Sequence, residues 1–435
     1  MKKKIAVGLS AVLLATTLCG CGNANADSSN VQEKEFVPSL DTSAKATIEV
    51  KGSWSNFEAL EAVAADFNEI YPDITINYTK VDDFTNMLST IVSGNDKPEI
   101  VMFDVNGYYK DKSEIVTNLI DLSDIGLNTE VLDGNLNVCS SADGKFCVLN
   151  WGNKSTGFVV NKTLLKELGL EIPTTHEEFL KVCSAVKDKG YTAIVGCNDS
   201  IYKNILNNDM KYRIHNLDNC DNVLNQLSTA SDGCGKVFEK EFTQMFELIN
   251  NNYVDYSKNT EIPDIYEGSI LYFFEGKTPF LCFDTEGFSG MKKRESKSEA
   301  FTANPFEYEF VSLPVENDVP VLSVTHLAGL AAVSGSKEEE FAKEFLRFTC
   351  SKAEIDKMAE VKGVPSSTKG SKTDPRFEQY NEIEAIRKVN PSYSEKLALA
   401  DEAFAYTLEK IATGETKSVE EAESYFEQYL KSMNN

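Results

Sequence analysis

Residues 47–104 read TIEVKGSWSNFEALEAVAADFNEIYPDITINYTKVDDFTNMLSTIVSGNDKPEIVMFD, and this stretch decides the fold. Thr47 to Lys51 is a short extended run. Ser55-Asn56-Phe57-Glu58 has the spacing of a capping box, in which a hydroxyl and a carboxylate three residues apart satisfy each other's backbone N–H groups. Phe57, Leu60, Ala64 and Phe67 follow at three- and four-residue intervals, the apolar stripe of a helix. Ile74, Ile76 and Tyr78 then alternate with Thr75, Asn77 and Thr79, so one face of a strand is apolar and the other polar. Phe84, Met87, Leu88 and Ile91 restore the helical period, and Pro98 punctuates the chain before the apolar strand Ile100 to Phe103. Strand, helix, strand, helix, strand with crossovers of this length predicts a βαβαβ unit with parallel strands.

Outward from this unit, the same alternation runs to the end of the chain. Capping-box spacing recurs at Thr174 to Glu177, Ser336 to Glu339 and Ser418 to Glu421, each ahead of a helical apolar pattern. A chain of 435 residues is too long for one small core, so the fold class expected is α/β in two lobes.

Upstream, Lys2 to Lys4 precede an apolar run from Ile5 to Leu18, the plan of a secretory signal peptide over residues 1–20. Leu18-Cys19-Gly20-Cys21 resembles the bacterial lipobox and makes Cys21 the expected lipid anchor. Cys19 is the competing site, which would need Thr16 and bulky Leu18 in the aliphatic and small positions. Residues 21–45 are polar and small, without a period that could bury a face, and read as a flexible tether. A tether of that length reaches roughly 25–30 Å. No later stretch approaches the ~18 apolar residues of a membrane span. The body is therefore expected on the outer face of the cell membrane, held by lipid.

The formal net charge is −25, and signal-peptide removal would take three lysines and no acid with it. Nucleic acid is an unfavourable partner for such a chain. In an exported protein the remaining cysteines can oxidise, and Cys139 with Cys147, Cys220 with Cys234, and Cys183 with Cys197 are the local pairs. Buried thiols are the alternative. His176, His215 and His326 are scattered and no cysteine spacing suits zinc, so neither a metal centre nor a cofactor is expected. There is no Gly-x-Ser-x-Gly elbow, His-Glu-x-x-His, Walker loop or dinucleotide fingerprint, and Gly287-Phe288-Ser289-Gly290 is one residue short of an elbow. The chain is not expected to be an enzyme.

Ligands of open parallel sheets sit beyond the carboxyl ends of the strands, where adjacent loops diverge. Trp54 after the first strand and Asp104 after the third fall there. Trp54 could instead staple the helix against Ala59, and Asp82 or Asp83 could cap the next helix. An indole face with carboxylates from Asp82, Asp83 and Asp104 suits a sugar, which offers an apolar ring face and a rim of hydroxyl donors.

Several segments in fixed order resemble the family 1 extracellular solute-binding proteins, the maltose-binding-like receptors of ABC sugar importers. They are Trp54 with Phe67-Asn68-Glu69-Ile70-Tyr71-Pro72-Asp73-Ile74, Ser93-Gly94-Asn95-Asp96-Lys97-Pro98-Glu99-Ile100, and Asp143-Gly144-Lys145-Phe146. Gly157-Phe158-Val159-Val160-Asn161-Lys162, Leu168-Gly169-Leu170-Glu171-Ile172-Pro173-Thr174, Glu275-Gly276-Lys277 before Pro279 to Phe283, and Phe341-Ala342-Lys343-Glu344-Phe345-Leu346 complete the set. The resemblance implies a periplasmic-binding-protein-like fold, with parallel-core sheets flanked by helices and three hinge crossovers. It implies one lobe from 46–149 and 327–367, a second from 150–326 and 368–435, a carbohydrate held between them, and delivery to the transmembrane permease subunits of an ABC importer by a monomeric receptor. Trp151 after the first hinge, with Asp284 and Glu286 at the end of the Leu281 to Phe283 strand, becomes a candidate contact from the second lobe. His326, Tyr393 and Phe404 are secondary candidates. The chain departs from the family at His176, where many members carry Trp, and at Gly287-Phe288, where many have a stacking aromatic. A lipid-anchored surface glycoside hydrolase, which would need paired carboxylates at a set separation, and a surface sensor or adhesin are the alternatives.

Overall fold

The structure is a computed structural model that describes residues 35–103, 113–132, 144–196, 204–256, 261–262, 266–315, 320–371, 377, 388–389 and 398–433. The expected signal peptide and Cys21 lie outside the described residues. Strands β1 (Ala46–Gly52), β2 (Ile74–Lys80) and β3 (Ile100–Phe103) form the expected parallel unit, with β1 between the other two, so that Val50 pairs with both Tyr78 and Ile100. The helices Glu58–Ile70 and Phe84–Ser93 make the crossovers.

The helix caps differ in detail from the boxes. The first helix begins at Glu58, too late for Ser55 to reach it, and Asn56 Oδ1 accepts from Glu58 N at 2.9 Å instead. The second box is displaced by one residue: Thr175 Oγ1 accepts from Glu178 N at 3.2 Å, and the Glu178 carboxylate takes the Thr174 hydroxyl at 2.8 Å. At the third, Ser336 Oγ is buried without a partner while Glu339 accepts from Gly335 N at 2.6 Å. The fourth forms its hydroxyl half, with Ser418 Oγ accepting from Glu421 N at 3.2 Å.

Among the described residues six more strands follow: β4 (Leu149–Asn161), β5 (Ile194–Val195), β6 (Phe280–Asp284), β7 (Tyr308–Val311), β8 (Leu322–Ala332) and β9 (Lys388–Val389). Hydrogen bonding runs continuously in the order β2-β1-β3-β8-β4-β6-β5, with β7 on β4 and β9 on β8. The long strands β4 and β8 are antiparallel to one another and serve both lobes. The start of β4 lies beside β8 where β8 also meets β3, and the end of β4 pairs with β6 and β7. The expected parallel pairs are present at β1/β2, β1/β3 and β5/β6, and the shared strands add antiparallel joints. The segment at Pro365 to Ser367 runs along the same part of β4: Asn153 N donates to Pro365 O at 2.8 Å and Ser367 Oγ to Asn150 O at 2.8 Å. The β4/β8 register shifts between Asn150 and Asn153, a bulge that bends and twists the strand where the lobes meet.

Strand alternation explains the layering of the second lobe. Phe158 and Val160 on β4 and Phe280 and Cys282 on β6 bury one face against Phe179, Phe238, Phe242, Phe404 and Phe426. Their neighbours Val159, Leu281 and Phe283 bury the other against Phe274, Phe288 and Phe310. Two buried faces require a helical layer on each side. Phe404, considered for the cleft, is instead fully buried core, 5.0 Å from the Phe238 ring.

The ordered body also reaches upstream of the expected boundary at residue 46. Phe36 meets Phe348 edge-on at 5.2 Å, and Arg347 Nη2 donates to Val37 O at 2.7 Å. Ser39 donates through N and Oγ to the Glu344 carboxylate at 2.7 and 2.6 Å. Residues 36–39 are thus strapped to the helix Glu339–Thr349.

Cys183 and Cys234 are free thiols, so the pairings proposed for them with Cys197 and Cys220 are not formed. Burial raises the Cys234 thiol to about 11. Cys139, Cys197 and Tyr393 lie outside the described residues. Among the described residues no helix is long and apolar enough to cross a membrane.

Candidate ligand cleft

The turn after β1 is built around Gly52, where a Cβ would lie 2.6 Å from both Met102 O and Tyr78 Oη. That space lets Tyr78 fold under the turn, accepting from Trp54 N at 3.0 Å and donating to Trp54 O at 2.8 Å. Burial raises the Tyr78 phenol above its ordinary pKa, so it stays a neutral donor. Phe57 stacks on Tyr78 at 4.8 Å, and Trp151 meets Trp54 at 5.5 Å with ring planes 82° apart. Trp151 is fully buried in β4 and its Nε1 has no hydrogen-bond partner. In this arrangement it is packed edge-on against Trp54. Lys362, at the end of the helix Lys352–Lys362, places Nζ 4.7 Å from the Trp54 ring centre.

The facing wall rises from the end of β6. Asp284 caps the helix Thr285–Arg294, its Oδ1 accepting from Gly287 N at 2.6 Å, while Oδ2 lies 3.0 Å from Lys154 Nζ. Glu286, in the first turn, lies 3.6 Å from Lys154 and 3.1 Å from Lys362. Tyr266 leans on the same helix, with the Arg294 guanidinium 4.5 Å from its ring, and burial raises its phenol pKa. Gly290 permits this approach, since a Cβ there would collide with Tyr266 Oη. Between the walls is a cavity of about 470 Å³ whose lining includes Asn56, Tyr266, Asp284, Glu286, Lys293 and Lys362. The volume falls within the range of small-molecule sites. Hydroxyl-accepting carboxylates, amide and phenol groups, with an indole beside the lining Lys362, can together hold a small polar ligand with an apolar face.

The structure therefore brings Asp284 and Glu286 to one cavity and Trp54 to Lys362, a residue of its lining. Asp82 and Asp83 are placed elsewhere: the Asp82 side chain is 94% exposed and pairs with Lys80 at 3.0 Å, and Asp83 Oδ1 accepts from Asn86 Nδ2 at 2.8 Å. Asp104 lies outside the described residues. His326 Nδ1 is 2.6 Å from the Asn150 side chain, beside the bulge in β4, and His176 Nδ1 faces Pro314 O at 3.3 Å. Sequence reading missed Asn56, Lys154, Tyr266 and Lys362. Only Asn56 carried a signal, its place two residues after Trp54. Among the described residues no group of three or more His, Cys, Asp or Glu could hold a metal ion.

The sequence matches the profile of the bacterial extracellular solute-binding proteins over residues 51–354. The chain belongs to that family. As a family 1 solute-binding protein it works outside the cytoplasm. It is 23% identical over 417 residues to the melibiose/raffinose/stachyose-binding protein MelE of Bacillus subtilis, covering 92% of this chain and 88% of the relative. A multiple sugar-binding protein of Streptococcus mutans is 28% identical over 188 residues, 43% of this chain and 40% of that one. Among solved structures, apo RafE of Streptococcus pneumoniae superposes with a TM-score of 0.71 at 18% identity, over 91% of this chain and all of RafE. RafE bound to raffinose gives 0.67 at 17% identity, over 89% of this chain and all of that one. These solved structures share the two-lobed fold.

Proposed function

We propose that this solute-binding protein captures an oligosaccharide in the cleft between Trp54 and the Asp284–Glu286 turn and passes it to the permease of an ABC importer. The observation that carries the reading is the cleft itself: an indole held by Tyr78 and Trp151 on one side, and two carboxylates at a helix start on the other. Supporting it, MelE is a melibiose/raffinose/stachyose-binding protein and RafE is solved in complex with raffinose. In this reading β4, β8 and the segment at Pro365 to Ser367 are the three hinge crossovers, dividing the lobes at 149/150, 326/327 and 367/368. The chain acts as a monomer without catalysis, and Cys21 carries the lipid that keeps it at the membrane.

A second chemistry has a specific observation behind it. The ammonium of Lys362 already occupies the space between an indole and a carboxylate, so an organic cation fits the same groups. Calorimetric titration of the soluble body with melibiose, raffinose, stachyose, maltose and spermidine, with product analysis, separates the readings. Saturable binding of an intact galactoside is expected. Binding of spermidine alone would replace the carbohydrate reading, and cleavage of the sugar would make the protein a hydrolase.

A further inference from the structure

The two recognition elements of the cleft are both engaged by the protein itself. Lys362 Nζ lies over Trp54 at 4.7 Å and 3.1 Å from Glu286 Oε1, and Lys154 lies between Asp284 and Glu286 at 3.0 and 3.6 Å. Lys362 belongs to a helix packed on Glu58–Ile70 of the first lobe, whereas Glu286 follows β6 of the second. The ammonium therefore ties one wall of the cleft to the other through the groups a sugar would need.

We infer that Lys362 is an internal competitor for the ligand, a built-in occupant of the Trp54–Glu286 position that any solute must displace, and so a determinant of affinity and selectivity. The inference rests on the proposed function for its ligand, but the tie itself exists without one. Its chemistry is suited to reversible displacement. The lysine stem is flexible, its side chain is 19% exposed, and that of Glu286 is 36% exposed, so water can take over the ion pair when the ammonium leaves. A neutral ring with several hydroxyls replaces both functions at once, packing on the indole and donating to the carboxylate. A small alcohol, too short to pack on the indole and reach the carboxylate together, leaves the lysine in place. Selection for neutral saccharide rings over small alcohols follows.

This chain has two tryptophans, Trp54 and Trp151, and they touch, so their fluorescence reports on this point of the molecule. In ligand-free protein, Lys362→Met should increase acrylamide quenching, and raising the salt from 50 mM to 1 M should do the same to the parent protein, while Lys362→Arg keeps the parent behaviour. Unchanged quenching in Lys362→Met overturns the inference whether or not any sugar binds. With a bound sugar in hand, Lys362→Met should tighten binding roughly three- to tenfold and reduce its salt dependence. Weaker binding in Lys362→Met would mean that the lysine contacts the ligand, and would also overturn it. If no sugar binds the parent protein, the carbohydrate reading fails, and the quenching result alone decides whether Lys362 covers Trp54.

Discussion

Two glutamates, Glu344 under the N-terminal strap and Glu286 in the cleft, show how differently one carboxylate can be used. Glu344 has a side chain 2% exposed and accepts from Ser39 N at 2.7 Å, Ser39 Oγ at 2.6 Å, Tyr71 Oη at 2.5 Å and Arg347 Nε at 3.0 Å. Those donors are short, or fixed by backbone and packing. Glu286 is more open and, among the described residues, is met by two lysines. A carboxylate met by rigid donors is structural, because losing it strands several buried polar groups. One met by ammonium groups on long stems can exchange partners with little consequence for the fold, and that is the property a ligand site needs.

The largest expected effect comes from breaking the first member of the pair. Glu344→Ala leaves Tyr71 and Ser39 without their acceptor and should cost about 3 kcal/mol in urea unfolding, with the strap released to proteolysis near Val37. Glu344→Gln tests the charge. Burial opposes ionisation of Glu344, yet the bonds from Ser39 and Tyr71 outweigh it and hold the carboxyl below the ordinary 4.5. Stability from this group is thus present above 4.5 and lost as pH falls through the lower folded value. The parent should lose stability over that acid window, and Glu344→Gln, already weaker at neutral pH, should show a shallower decline. Equal slopes would mean the strap is held by packing alone.

The binding counterpart is Trp54→Ala. It should weaken sugar binding by roughly tenfold or more, as loss of an aromatic platform does, while unfolding free energy falls far less than in Glu344→Ala. A loss of stability as large as that of the strap variant would make Trp54 a core residue, closer in role to fully buried Trp151.

Much of the fold was legible because it depends on local period. The β1–β3 unit needs only alternation, a helical stripe and a proline, and each lies within a dozen residues. The caps were readable only to within a residue or two, since Thr174 and Thr175 are chemically alike and only the backbone chooses between them. The two acidic residues after β6 were legible because strand ends have a known use. Lys362 and Lys154 were not, because a lysine that reaches a site on a long stem looks in sequence like any solvated charge. Tyr266 was hidden for a related reason: its place depends on Gly290, far along the chain, leaving space for its hydroxyl.

Glu286→Gln should have a modest effect in both directions. It removes a charged acceptor for the ligand but also loosens Lys362, so the two changes offset and a net weakening of roughly threefold is expected, with stability within about 0.5 kcal/mol of the parent. Paired with Lys362→Met, the double variant should bind no more tightly than Glu286→Gln alone if the lysine acts only through this carboxylate. Tighter binding in the double variant would assign the remaining competition to the contact with Trp54.

The smallest effect is expected at Asp82 and Asp83, and it is informative because it is small. Asp82 stands in solvent with Lys80, and Asp83 spends its carboxylate on the Asn86 side chain at a residue with φ of 54°. Neither lines the cavity that holds Glu286 and Lys362. Asp82→Asn and Asp83→Asn should therefore leave both affinity and unfolding free energy within measurement error; Asn tolerates positive φ as Asp does. A drop in affinity without a drop in stability would place the loop after β2 against the bound solute. Since neither residue lines the cavity, such a result would extend the cleft beyond the Trp54 wall.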